Sequence, residues 1–198
     1  IDHGNQELVM YFHGPTEHGP GQCSGVATSK DGIHFTPSEH ILGKFYFRVF
    51  EWKGAYYAFA KDGNTGWARL YHSEDGRTPF EPGQHMLARA RHMALQREGD
   101  QLRVFYSRKG DAPERILMAT VDLSGDWTEW VESEPIDVLA PEKDYERIEY
   151  PNKPSRYGSA TEVRQLRDPC IFEEDGRIYL FYTIAGEMGI AMAEIWIE

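Results

Sequence analysis

Hydrophobic and polar positions recur along this chain in one phrase with drifting letters. The phrase is a short apolar strand, a Gly turn, a Tyr/Phe-rich strand, a loop, a strand ending near Ser or Asp, and a second Gly turn followed by an aromatic residue. One copy runs through Glu7–His13, Gly25–Ser29, Asp31-Gly32 and Phe35. A second runs through Ala55–Ala60, Trp67–Ser73, Asp75-Gly76 and Phe80. A third takes in Leu102–Ser107, Ile116–Thr120, Gly125, Trp127 and Trp130, and the last Arg177–Thr183 and Gly189–Ala193. β-Branched and aromatic residues fill these segments, which favours strands over helices. A β unit repeating every ~40–50 residues predicts the blades of a β-propeller. The predicted fold class is therefore all-β.

The repeat divides the chain into four blades or part-blades. The first reaches about Gly43, the second runs from Lys44 to about Leu87, and the third from Ala88 to about Leu139. The fourth begins near Leu166 and has three strands. Gly4, Gly54, Gly99 and Gly176 share one hairpin slot, where a positive φ is cheap for Gly. Asp31-Gly32 and Asp75-Gly76 mark the next hairpin. The first blade lacks an innermost strand and the fourth an outermost one. Residues 1–198 are expected to form a single propeller domain, incomplete at its N-terminus. Open strand edges invite pairing, so a second copy or a partner segment closing the ring is a further expectation. Between Ala140 and Gln165 the pattern stops. This segment is rich in Pro, charge and Tyr, and reads either as a functional loop or as a solvated insertion.

Charge narrows the partners. The chain carries 32 Asp and Glu against 21 Lys and Arg, a formal net charge of −11. That argues against nucleic acid and anionic membrane, which both attract basic surfaces. It suits a neutral, hydroxyl-rich ligand. There is no apolar run of transmembrane length and no signal-peptide pattern at the start. Cys23 and Cys170 read as two small core residues, with pairing in a secreted protein as the alternative.

A propeller gathers the starts of its innermost strands, and the loops returning beside them, at one mouth of the channel. Aligned on the Gly turns, those positions hold Tyr46 and Arg48, Arg91 and His92, and Arg167-Asp168-Pro169. The returning loops add His13, Glu17, His18 and Glu187, and the long segment adds Glu162 and Arg164. In Arg167-Asp168-Pro169 the proline biases Asp168 toward extended backbone, and a neighbouring Arg lowers a carboxylate's pKa. The alternative is an Asp–Arg pair that caps a strand entry.

The run Leu166–Thr183 with Gly189–Ala193 resembles the five-bladed propeller glycoside hydrolases: arabinanases, β-xylosidases, invertases and fructan enzymes. The Ser29–Gly32 and Ser73–Gly76 turns are similar to theirs too. The resemblance implies a carbohydrate substrate and a set of three carboxylates, with Asp168 at the position of an Asp that opens an innermost strand. It departs in three ways: Tyr46 and Arg91 fill the equivalent slots of the preceding blades, the Arg-Asp-Pro triplet lies in the last blade rather than an internal one, and no Glu-Cys acid motif is present.

Glycoside hydrolysis normally uses two carboxyl groups across the scissile bond, one of them protonated. Asp168, Glu162 and Glu187 are the candidate catalytic residues. Arg167, Arg164, Arg91, His92, Tyr46, Arg48, His13, Glu17 and His18 are the candidate substrate contacts, with Arg suited to hydroxyls or a uronic carboxylate. No site has the carboxylate density of a calcium cage, so no metal and no cofactor is expected. Propellers serve many functions. A non-catalytic carbohydrate-binding propeller and a phosphate-dependent glycoside phosphorylase therefore stand as alternatives to a hydrolase.

Overall fold

In a computed structural model, residues 1–2, 4–16, 19–63, 65–156, 158 and 160–197 are described. The chain is all-β, with strands grouped into four antiparallel sheets of blade type. Its contacts divide it into two compact units, Ile1–Met86 and Leu87–Glu198.

The first unit holds two blades. One comprises β1 (Leu8–Thr16), β2 (Gly19–Ser29), β3 (Thr36–Pro37) and β4 (Gly43–Lys44), with β3 and β4 both pairing β2. The other is the meander β5 (Arg48–Trp52), β6 (Ala55–Lys61), β7 (Ala68–Ser73) and β8 (Glu81–Met86). The turns after β2 and β7 are built alike. Ser29 Oγ accepts from the Gly32 N–H at 2.9 Å, and Ser73 Oγ from the Gly76 N–H at 3.0 Å. Asp31 and Asp75 cap the residues that follow. This equivalence matches β1 to β6 and β2 to β7, the correspondence the repeat predicts. Core packing here gathers Val26, Leu42, Phe47, Ala58, Tyr71 and Phe80.

The second unit holds β9 (Ala90–Glu98), β10 (Gln101–Arg108), β11 (Ile116–Asp122) and β12 (Ile136–Leu139), then the three-stranded sheet β13 (Arg167–Glu174), β14 (Arg177–Ile184) and β15 (Gly189–Ile195). Its core includes Ala94, Phe105, Ile116, Leu166, Leu180 and Tyr182.

Gly76 shows what the turn equivalence demands. Its φ is +66°, and an added Cβ would lie 2.8 Å from both the Tyr11 hydroxyl and the Tyr56 ring. Gly76→Ala is therefore expected to cost about 2–4 kcal/mol, combining backbone strain with overpacking. A urea midpoint lowered by less than half a kcal/mol equivalent would contradict this.

Two expectations need correction. Gly4 does not adopt the left-handed conformation of its supposed equivalents; Gln6, at φ +52°, does so instead, because this hairpin is closed by the Asp2 carboxylate accepting from the Asn5 N–H at 3.0 Å. Both cysteines are free thiols, and Cys170 is exposed on β13 rather than buried in a core.

Candidate active site

The site in the second unit is built by two bulges. On β9, Met93 pairs Tyr106 but Ala90 pairs Arg108, so one extra residue sits across Arg91 and His92. On β13, Arg167 pairs Thr183 but Cys170 pairs Phe181, so one extra residue sits across Asp168 and Pro169. A bulge breaks strict alternation and re-aims a side chain. Here the first strands of two sheets are bulged where they carry His92 and Asp168, and those two side chains meet.

Asp168 takes φ +48°. The expected extended backbone is overturned: the bulge calls for a left-handed residue, and Asp is among the few non-Gly types that tolerate one. One Asp168 carboxylate oxygen contacts His92 Nδ1. The other lies 3.2 Å from the Thr183 hydroxyl, which is also 2.8 Å from the Gly186 carbonyl. His92 and Asp168 side chains are each about one-fifth exposed, at 20% and 21%. Burial pushes the Asp168 carboxyl up, but the hydrogen bond and charge of His92, the Thr183 hydroxyl and the Arg167 charge together outweigh it. The net pKa is below the ordinary value.

A depressed folded pKa has a definite sign in stability. The contribution is complete above the unfolded Asp value of about 3.9 and is lost as pH falls through the lower folded value. Asp168→Asn should therefore flatten the acid limb of stability against pH. Urea midpoints measured from pH 6 down to 2.5 check this, and an unchanged slope would count against the ionised pair.

Arg167 does not pair with Asp168. Its guanidinium is fully buried and turns to the other side of the strand, toward Gln165 (2.9 Å), Glu187 (3.0 Å), Glu114 (3.5 Å) and the Ser155 hydroxyl. Arg91 is 4% exposed and forks onto Glu114 at 2.7 and 3.2 Å, with the Ser155 carbonyl at 3.0 Å. Both arginines, expected as substrate contacts, are committed to partners in the protein. Desolvation, the largest influence on Arg167, pulls its pKa down.

Glu187 accepts from Arg167 while its side chain stays 31% exposed. Glu162 is exposed, and its backbone N–H points at the Met188 sulfur at 3.2 Å. Adjacent Thr161 bridges Gly186. Gly186 permits this approach: its φ is +82°, and a Cβ there would sit 2.0 Å from the Ala160 carbonyl. The 160–162 segment and the turn bearing Thr183 and Glu187 therefore meet beside Asp168. Arg164 donates to the Pro141 carbonyl at 3.0 Å, tying together the two ends of the long segment.

That segment is anchored. Buried Glu146 accepts from the Tyr182 hydroxyl at 2.8 Å and from the N–H groups of Glu142 and Lys143. Burial, with hydrogen bonds to Tyr145 and Glu146, raises the Tyr182 pKa. Gln165 donates to the Lys153 carbonyl, and the Ser155 carbonyl also accepts from Gly110. The solvated-insertion alternative does not describe a segment held at this many points.

In the first unit, Tyr46, at φ +64°, packs its ring 4.0 Å from the His13 ring, and Lys61 Nζ sits 4.5 Å over Tyr46. Arg48 is exposed, with Nη1 at 3.3 Å from the Phe47 carbonyl. Glu17 and His18 lie outside the described residues. Among the described residues, no group of three or more His, Cys, Asp or Glu is arranged to hold a metal ion.

Residues that sequence reasoning missed are Thr183, Glu114, Ser155 and Gln165. Thr183 closes the very run that carries the family resemblance, and Glu114 lies between the strand runs Leu102–Ser107 and Ile116–Thr120. Nothing in the letters of Ser155 or Gln165 marks them.

No family model matches the chain. An uncharacterized protein of Acanthamoeba polyphaga mimivirus is 38% identical over 215 residues, covering 98% of this chain and 59% of the relative. Among solved structures, a glycosyl hydrolase from Bacteroides ovatus is 13% identical with a TM-score of 0.64, covering 96% of this chain and 61% of that one. A β-1,2-mannobiose phosphorylase from Listeria innocua is 15% identical with a TM-score of 0.59, covering 87% and 48%. The chain has the fold of the five-bladed propeller glycoside hydrolases. It spans about three-fifths of the mimivirus relative and of the B. ovatus hydrolase.

Proposed function

We propose that this propeller acts on a carbohydrate as a glycoside hydrolase, with its chemistry at Asp168. The observation that carries the reading is a carboxylate held ionised at a bulge, one-fifth exposed, at the start of β13. An ionised carboxylate serves as base or as stabiliser of positive charge developing on the sugar, not as the acid. The acid role falls to Glu162. Glu187 is engaged by Arg167, whereas no side-chain partner of Glu162 is found among the described residues, which leaves its carboxyl able to turn to a leaving group. His92 orients Asp168 through the contact of its Nδ1 with the carboxylate. Under this reading residues 1–198 belong to one propeller domain.

The test is a panel of neutral and uronic oligosaccharides assayed for reducing ends, with and without inorganic phosphate. Hydrolysis that Glu162→Gln slows by about 10²–10⁴-fold, while a good leaving group restores the rate, supports the assignment. Cleavage that requires phosphate would replace hydrolysis with phosphorolysis. Saturable binding without cleavage would leave a carbohydrate-binding propeller.

A further inference from the structure

A layer of buried charge lies next to the His92–Asp168 pair, and the chemistry proposed above does not use it. At its centre is Glu114, with no exposed surface. Its carboxylate takes the fork of Arg91 at 2.7 and 3.2 Å, the Ser107 hydroxyl at 2.7 Å, and Arg167 Nε at 3.5 Å. Ser155 Oγ bridges the same group, within reach of Glu114, Arg91 and Arg167. A carboxylate this deep is tolerated because two guanidiniums and two hydroxyls surround it.

The placement of the two arginines matters more than the pairing itself. Arg91 immediately precedes His92, and Arg167 immediately precedes Asp168. Both pairs lie at bulges, where the backbone ladder no longer dictates where a side chain points. Something other than the ladder must then fix the two bulged segments against each other. Glu114 is the charged residue that grips both, with the Ser155 hydroxyl bridging the same two arginines.

We propose that Glu114 is a positioning residue. By holding Arg91 and Arg167 it sets the bulges of β9 and β13 in the relative position that brings His92 onto Asp168. Its importance for turnover rests on the reading of Asp168 given above; its effect on the pair does not, and the experiment separates the two.

The experiment is a ¹³C NMR titration of the Asp168 carboxyl in the 198-residue chain, for the wild type, Glu114→Gln and Glu114→Asp. The sign of the shift discriminates. Removing the negative charge of Glu114, acting only through space, would lower the Asp168 pKa further, since a like charge disfavours ionisation. Losing the hydrogen bond and charge of His92 leaves burial less opposed, and the pKa rises. We expect a rise to the ordinary Asp value of about 3.9 or above in Glu114→Gln. The same direction is expected in Glu114→Asp, which keeps the charge and shortens the reach. An unchanged or lower Asp168 pKa in the variants would overturn the proposal.

Where circular dichroism finds that neither variant folds, Ser107→Ala decides on the same sign, because it removes one bond to Glu114 without touching charge. In active protein, kcat is expected to fall by about 10–100-fold with KM within about twofold. A rise in the Asp168 pKa in a protein that cleaves no sugar would sustain the positioning role and sink the hydrolase reading. Active protein with an unmoved pKa would do the reverse.

Discussion

With Asp168 in the role proposed for it, Asp168→Asn should remove carbohydrate cleavage almost entirely, lowering kcat by about 10³-fold or more, within the range that acid–base participation supplies. The amide is nearly isosteric, and its oxygen can still face Thr183, so the strand entry keeps its shape. What is lost is the negative charge that His92 and Arg167 help to hold in place. Affinity for the sugar should change little, because the interaction removed is one that strengthens only as charge develops on the substrate. A variant with a matching loss in affinity and no separate loss in kcat would make Asp168 a binding residue. Comparing kcat and KM for the two proteins on one oligosaccharide checks this.

The largest effect on stability is expected at Arg167. Arg167→Ala leaves Glu114 fully buried with one guanidinium instead of two, and releases Glu187, Gln165 and Ser155 at once. Breaking a buried ion pair by removing one partner costs about 3–5 kcal/mol. For a chain of this size that corresponds to a melting temperature lower by roughly 6–20 °C. Arg164→Ala serves as the comparison: it removes a guanidinium bonded to the Pro141 carbonyl, and a neutral-acceptor bond of this kind is worth about 1.5–3 kcal/mol. Scanning calorimetry of the two variants separates the cases. An Arg167→Ala protein as stable as wild type would show that the buried layer contributes nothing to stability.

The strands were legible because their signal is local. Tyr- and Phe-rich runs such as Tyr56–Ala60 and Val104–Tyr106 alternate with Gly turns, and each became a strand at its expected place. The equivalence of the first two blades was legible too, since the Ser29–Gly32 and Ser73–Gly76 turns use the same side-chain bonds. Asp168 and His92 were both expected at strand starts, and they lie at the starts of β13 and β9.

What escaped the sequence is the direction in which side chains point. A bulge is one uncounted residue, and period-2 reasoning carried through it assigns Arg167 and Arg91 to the wrong surroundings. The letters Arg-Asp-Pro suggest an Arg–Asp pair, but the left-handed turn at Asp168 sends the two side chains apart. Glu114 was hidden for a related reason. A lone Glu in a charged loop reads as solvated, and only the convergence of Arg91, Arg167 and Ser107 from separate strands makes its burial affordable in energy terms. Ser155 and Gln165 belong to a segment without periodicity, where contacts are set by tertiary anchors such as Glu146 rather than by local pattern.

The most direct measurement of the central claim is an NMR titration of oligosaccharides into protein carrying ¹³C-labelled His and Asp side chains, with product release followed in the same sample. The account predicts saturable shifts at His92 and Asp168 for at least one saccharide, accompanied by its cleavage. Saturable sugar binding that leaves both signals unmoved, or no response to any saccharide, would contradict it.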